Sequence, residues 1–384
     1  MNRVITKKKS RKAIPEKISN LLWSRAAGRC QYEGCNTILS RDILTKKSYN
    51  SAYVAHIVAA EPDGPRGDII LSPELCQEFD NLMLMCDSHH RLIDKIDVPG
   101  HTIERLKIMK RKHESLIERL TDFQGKGETA IVLFGANIGS QQVKLTYEDA
   151  LDTINDTHYP ASQYAIELGI ANSGLLDHLG TFWELEKNSL QANFDRKIKD
   201  KRESGNIKHL SVFGLAPQPL LVLLGSFLGD IHTAEVYQLH REPKTWQWLD
   251  EPDEVVFEII PPKKILPTVA LNFSLSATIT EDRIEKALGK DCSIWTFTVN
   301  RPNNDFLRNR EQLIRFRQQV RQLLDRIKSA HGQDNLIHVF PAMPNSMAID
   351  LGRIRMPKAD LPMLIYDQNF NNPAIGFYPT LKID

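Results

Sequence analysis

The chain has 384 residues, 25% of them charged, with a formal net charge of +1, as expected for a globular protein long enough for two or three domains. No apolar run reaches the length of a bilayer span, since the longest, around Leu220 to Leu228, is short and broken by Gly225, so no membrane partner is expected. The basic N-terminus lacks the apolar segment of a secretory signal, and five cysteines are an odd number, which favours metal binding in a reducing cytoplasm over a disulfide framework.

The charge is unevenly spread. Residues 1–122 hold 21 Lys/Arg against 16 Asp/Glu, so the remainder is net acidic. Arg3, Lys7, Lys8, Lys9, Arg11, Lys12 and Lys17 face Glu16 alone in the first seventeen residues, and Arg105, Lys107, Lys110, Arg111 and Lys112 form a second cluster. Such stretches suit a phosphate backbone, and they equally describe a solvated tail and one exposed helix face.

In chain order, Ile18, Leu21, Leu22 and Ala26 recur at helical spacing, predicting a helix over 15–27 that Gly28 ends. Residues 29–100 are turn-rich and carry Cys30-x4-Cys35, His56, Asn81 and the run Cys86-Asp-Ser-His89-His90. Residues 52–58 read as a strand with His56 on the face opposite Ala55 and Ile57. A second amphipathic helix spans 101–121, and Gln124-Gly-Lys-Gly-Glu128 reads as a linker. Beyond it, strand-like runs such as Ala130–Phe134, Ser211–Phe213 and Leu336–Phe340 alternate with long helical patterns over 178–203 and 304–330. That alternation predicts an α/β, Rossmann-like sheet. The expected division is 1–122, a linker over 123–128, and 129–384.

The second region also repeats itself. Phe213, Pro217 and Gly225 match Phe340, Pro344 and Gly352 at one offset of 127, and Glu235-Val-Tyr237 matches Leu364-Ile-Tyr366 two residues out of register. Ala130–Phe134 and Val269–Phe273 lie at similar distances upstream. A tandem pair of related half-domains, about 129–262 and 263–384, explains these matches.

A structural zinc site needs four converging soft or borderline ligands, and Cys30, Cys35, Cys86 and His89 supply them from two knuckles. The metal would pin a motif that has little core of its own. Cys76 lacks a close-spaced partner and reads as a buried apolar residue, and Cys292 is far from the cluster.

The order His56, Asn81, His90 around this knuckle resembles the HNH endonucleases, over roughly residues 22–96. The resemblance implies an α+β, ββα-metal domain. In it His56 is the general base that activates water, and Asn81 ties the loop behind His56. His90 is a ligand of one catalytic divalent ion, usually Mg²⁺. Many members carry a metal-binding Asp where this chain has Ala55, so Asp94, one helical turn beyond His90, is the candidate replacement. The second knuckle uses Cys-x2-His where Cys-x2-Cys is commoner. That leaves His89 and His90 able to exchange roles, and spacing from Cys86 favours His89 on zinc.

The stretch His338 to Arg353 with Leu364-Ile-Tyr-Asp367 resembles the SAVED domain, over roughly residues 128–384. That family is built from two fused CARF-like, Rossmannoid halves and senses cyclic oligonucleotides. HNH joined to SAVED is the layout of an effector of CBASS antiphage signalling. A ligand would sit beyond the carboxyl ends of the strands, where Asn137, Pro217, Ser274, Ser276, Phe340, Pro344 and Asn345 are the candidates. Trp183, Trp246 and Trp248 are available for stacking. The basic helix residues Arg308, Arg310, Arg315 and Arg317 would face an anionic ligand, a partner subunit or solvent.

Together these readings predict a cyclic-oligonucleotide-activated, metal-dependent endonuclease. It would cut double-stranded DNA with low sequence specificity as a homo-oligomer. The alternatives are a zinc-containing DNA-binding regulator with a small-molecule sensor and a ligand-independent restriction nuclease.

Overall fold

A computed structural model describes residues 13–42, 44–121, 126–170, 173–230, 233–251, 255–368 and 376–384. The basic residues Arg3 to Lys12 and part of the Gly-rich linker lie outside them. The chain divides into two compact units, 1–124 and 125–384.

The first unit contains α1 (Glu16–Arg25), β1 (Tyr53–His56), α2 (Leu71–Leu75), β2 (Leu82–Met85), α3 (Asp87–Arg91) and α4 (Ile103–Thr121). β1 pairs antiparallel with β2, Tyr53 opposite Met85 and His56 opposite Leu82. All four residues of β2 are buried, and with Leu22, Leu39, Ile57, Ile93, Leu106 and Met109 they make a small core. Gln31 joins the first knuckle to this hairpin, because its N–H donates to the Leu84 carbonyl and its side-chain oxygen accepts from the Leu84 N–H. Cys86 is the N-cap of α3, and a wider π turn over Leu92–Ile96 prolongs that helix. His90 therefore lies in the last turn of α3.

The second unit holds β3 (Gly127–Gly135), α5 (Tyr147–Ile154), β4 (His158–Pro160), β5 (Ile166–Glu167), α6 (Phe182–Phe194), α7 (Asp200–Glu203), β6 (Leu210–Leu215), α8 (Gln218–Leu228) and β7 (Ala234–Tyr237). It continues through β8 (Phe257–Ile260), β9 (Thr268–Ser274), α9 (Glu281–Leu288), β10 (Cys292–Val299), α10 (Arg310–His331), β11 (Ile337–Ala342), α11 (Asn345–Ile354), β12 (Met363–Gln368) and β13 (Phe377–Ile383). Gly127 and Glu128, expected in the linker, already pair in β3. The helix expected over 178–203 runs from Phe182 through a π turn at Asp195–Lys199 into α7. The one expected from 304 starts at Arg310, where Asn309 and Gln312 form a reciprocal capping box.

Two sheets form. One has the order β4-β3-β6-β7, with β5 also on β3, and the other β13-β12-β11-β9-β10-β8. The first is parallel throughout, and so is the run β12-β11-β9-β10, with antiparallel β8 and β13 at the edges. The succession β3-β6-β7 thus recurs as β9-β11-β12. β6 and α8 recur as β11 and α11 at the offset of 127 read from the sequence. α8 is buried almost all round, as a helix must be when it packs between a sheet and a second helix.

No helix among the described residues is long and apolar enough to cross a membrane.

Candidate functional site

One ligand atom each from Cys30, Cys35, Cys86 and His89 lies within 4.8 Å of the others. His89 Nδ1 is 3.2 Å from Cys86 Sγ and 3.8 Å from Cys30 Sγ. The Cys86 N–H donates to Cys30 Sγ at 3.4 Å, and the Tyr32 ring stacks on His89 at 4.1 Å. Burial pushes the Cys30 thiol up to about 12, helped by the neighbouring Cys35 and Cys86. Three thiols and an imidazole gathered this closely fit a tetrahedral divalent ion, whose charge would offset the cost of burying thiolates. Cys76 and Cys292 are free, buried and outside the cluster.

A cavity of about 250 Å³ lies beside the hairpin and is lined by His56, Glu61, His90 and Asp94 among others. His56 Nε2 is 3.0 Å from the Cys76 carbonyl. A carbonyl only accepts, so Nε2 carries a proton there. Asn81 is 3% exposed. Its Oδ1 accepts from the Val58 N–H at 2.7 Å, and its Nδ2 donates to the Val58 and Leu75 carbonyls. Asn81 therefore splints the chain that leaves β1 just after His56. His90 Nε2 is 3.3 Å from Asp94 Oδ2, and Tyr53 stacks on the His90 ring at 5.0 Å. Neighbouring ligands held at about 2.1 Å around an octahedral ion stand about 3 Å apart, so His90 and Asp94 fit one divalent ion.

Arg66 escaped the sequence reading. It donates to the His56, Ile57 and Ile93 carbonyls and to Asp94 Oδ1 at 2.6 Å. It thus ties the histidine strand to the helix and occupies one oxygen of Asp94. Its only outward signal is its place in a Gly/Pro-rich loop, where it adopts φ +57°.

In the second unit, a cavity of about 580 Å³ opens beyond the carboxyl ends of β3, β6, β9 and β11 and draws residues from both halves. Pro217, Ser276 and Asn345 line it as expected from sequence. The other four candidates are not among its lining residues. Asn137 spends its amide on the Ser173 and Leu175 carbonyls. Ser274 is buried, with its hydroxyl bonded to Asn272 and to the Ile279 N–H. Pro344 is the N-cap of α11. Phe340 is wholly buried and stacks on Tyr366 at 4.5 Å, because a residue inside a strand points to a sheet face rather than beyond the strand end. Trp183 and Trp246 belong to the cores and Trp248 packs against them. The basic helix residues are engaged within the unit, Arg308 by Glu251 and Asp305, Arg310 by Glu235, and Arg317 by Asp350. Arg315 donates to the Val255 carbonyl.

The polar lining missed by sequence includes Gln141, Asp177, Gln218, Arg283, Asp367 and Gln368. Arg283 donates to Gln368 Oε1 at 2.5 Å and lies over the Phe377 ring. Burial, with the charge of Asp177, pushes the Asp367 carboxyl up to about 7. Gln218 was reachable, since the offset of 127 pairs it with Asn345.

Two parallel Rossmann-like halves joined through α8 and α11, with a polar cavity at their shared carboxyl edge, define a duplicated α/β domain. A sequence profile described as "SMODS-associated and fused to various effectors sensor domain" matches residues 190–383, and the chain belongs to this SAVED family. No curated protein matches the chain. Among solved structures, it is similar to the Cap4 SAVED/CARF-domain receptor of Acinetobacter baumannii with 2'3'3'-cAAA. That match has 15% identity and a TM-score of 0.45, over 77% of this chain and 65% of that one. The Moraxella osloensis Cap4 receptor gives 13% identity and a TM-score of 0.37 over 80% and 69%. The chain thus spans about 65% of the length of the Acinetobacter receptor.

Proposed function

We propose that the chain is an HNH endonuclease that cuts double-stranded DNA when a cyclic oligonucleotide occupies the cavity of its SAVED domain, acting in CBASS-type antiphage defence with low sequence specificity. The observation that carries the nuclease reading is the convergence of His56, His90 and Asp94 on one cavity beside the Cys30, Cys35, Cys86, His89 cluster.

The chemistry follows from the orientation of the rings. With Nε2 committed to the Cys76 carbonyl, His56 Nδ1 takes a proton from the attacking water. Asn81 and Arg66 hold that imidazole by fixing the backbone that follows it, at Val58 and at the His56 carbonyl. His90 and Asp94 would hold a divalent ion such as Mg²⁺, and when bound it stabilises the charge that builds on the scissile phosphate. Zinc in the thiolate cluster would fix the knuckle against α3 and so fix His90, the residue after His89. One such site faces one strand at a time, and a homo-oligomer would present a second site to the other strand.

The cavity chemistry supports the ligand class. Arg283 supplies a cation for phosphate, while Gln141 and Asn345 supply paired donors and acceptors for base edges. The test is incubation of plasmid with the protein, Mg²⁺ and a panel of cyclic di- and trinucleotides. Cleavage with one of them and none without is the expected result. Cleavage by the protein alone would mark a ligand-independent nuclease, and no cleavage under any would mark a DNA-binding regulator.

A further inference from the structure

At the opposite, amino end of the first sheet, three metal-ligating side chains converge. His158 opens β4, His209 precedes β6 and Glu235 is second in β7. One ligand atom from each lies within 4.8 Å of the other two. The parallel register assembles them, since β6 sets Ser211 beside Glu235 and the Ala130 N–H within β3 donates to the His209 carbonyl.

Both imidazoles are oriented from behind. His209 Nδ1 lies 2.9 Å from Thr129 Oγ1 and His158 Nδ1 lies 3.0 Å from Thr157 Oγ1. That leaves each Nε2 for an incoming ligand, which is how outer hydrogen bonds orient histidines at metal sites. Tyr237 lies two residues beyond Glu235 on the same strand face, is 3% exposed, and its hydroxyl makes no hydrogen bond. Burial and then the charge of Glu235 push its pKa up, while the neighbouring Ser211 and Thr157 hydroxyls pull it down.

We propose that His158, His209 and Glu235 form a metal site for a borderline divalent cation such as Zn²⁺, separate from the thiolate cluster and from both cavities. Two imidazoles and a carboxylate are a zinc donor set that leaves a fourth position for water, here on the side of the Tyr237 hydroxyl. The His158 and His209 rings are stacked at 4.2 Å, so one of them must turn for both to meet one ion. Glu235 Oε1 is also held by Arg310, the first residue of α10, at 2.9 Å. An ion at the site therefore shares or takes a carboxylate that joins the first half of the unit to the second.

The test uses the full, tag-free chain carrying His90→Ala, which removes the cation site proposed in the first unit. The chain is stripped with chelator, loaded with Co²⁺, gel-filtered and counted for metal. Two equivalents per chain are expected, one with intense thiolate charge-transfer bands and one without. Adding His158→Ala with His209→Ala should remove one equivalent and leave the thiolate bands intact. Glu235→Gln, nearly isosteric, should weaken the same equivalent and serves if the double variant does not fold. A parent that holds only the thiolate-bound ion, or variants that keep both equivalents, would overturn the proposal. A failure of the thiolate cluster itself would show separately, as missing charge-transfer bands.

Discussion

Gly225 and Gly352 stand 127 residues apart and pack against each other where α8 crosses α11. A Cβ on Gly225 would meet the Ile349 carbonyl oxygen at 1.8 Å, and one on Gly352 would meet the Val222 carbonyl oxygen at 2.0 Å. Val222 and Ile349 are themselves related by the offset of 127, so the contact is reciprocal, as a two-fold axis between the halves requires. Either glycine to alanine should destabilise the second unit by about 3 kcal/mol, because two helix backbones must separate to admit a methyl group. Urea denaturation measures this, with Gly180→Ala, which points into open space, as the neutral control.

His56→Ala should lower ligand-activated plasmid cleavage by about 10²–10⁴-fold, the usual contribution of a general base. Zinc content should not change. Full activity in the variant would remove His56 from that role.

Asn81→Ala strands the Val58 N–H and carbonyl in a buried position. The cost should be about 2–3 kcal/mol, the penalty of unsatisfied buried polar groups, and cleavage should fall because the segment after His56 loses its splint. Asn81→Asp, which keeps the acceptor and loses the donor, should fall between. Denaturant midpoints and cleavage rates read both effects.

Cys30→Ser should lose the structural metal and, with it, part of the fold of the first unit. The small core around β2 leans on the cluster, since the Cys30 segment, β2 and α3 meet at it. Metal analysis with far-UV circular dichroism checks this. Chelation of the parent chain should reproduce the loss of helicity.

Affinity for an anionic activator should fall as pH rises through about 7. Burial holds the Asp367 carboxyl near that value, so it is neutral below it and repels phosphate above it. Asp367→Asn should flatten the dependence between pH 6 and 8. Calorimetric titration of the activating nucleotide across that range decides it.

The local parts of the first unit were legible because their signals are short in sequence. Helical spacing marked α1 and α4, and the knuckle residues advertised themselves by chemistry and spacing. The offset of 127 also matched Phe213, Pro217 and Gly225 with Phe340, Pro344 and Gly352, which the structure places in β6, the turn and α8, and in β11, the turn and α11. Phe340 misled for the opposite reason. Its place near a strand end was readable, but the sheet face it points to depends on which strands flank β11. Asp94 was named from its spacing to His90, whereas its engagement by Arg66 depends on a loop 28 residues upstream.

The sequence by itself determined which chemistries are available, because cysteine, histidine and asparagine spacing is a property of the chain, and it determined the internal repeat, because register survives as an offset. Only the tertiary structure decided which oxygen and nitrogen atoms share a cavity. Arg66 reaching Asp94, Arg283 reaching Gln368, and the meeting of His158, His209 and Glu235 all join residues from separate segments, and their distances are set by strand pairing and helix packing that no local pattern encodes.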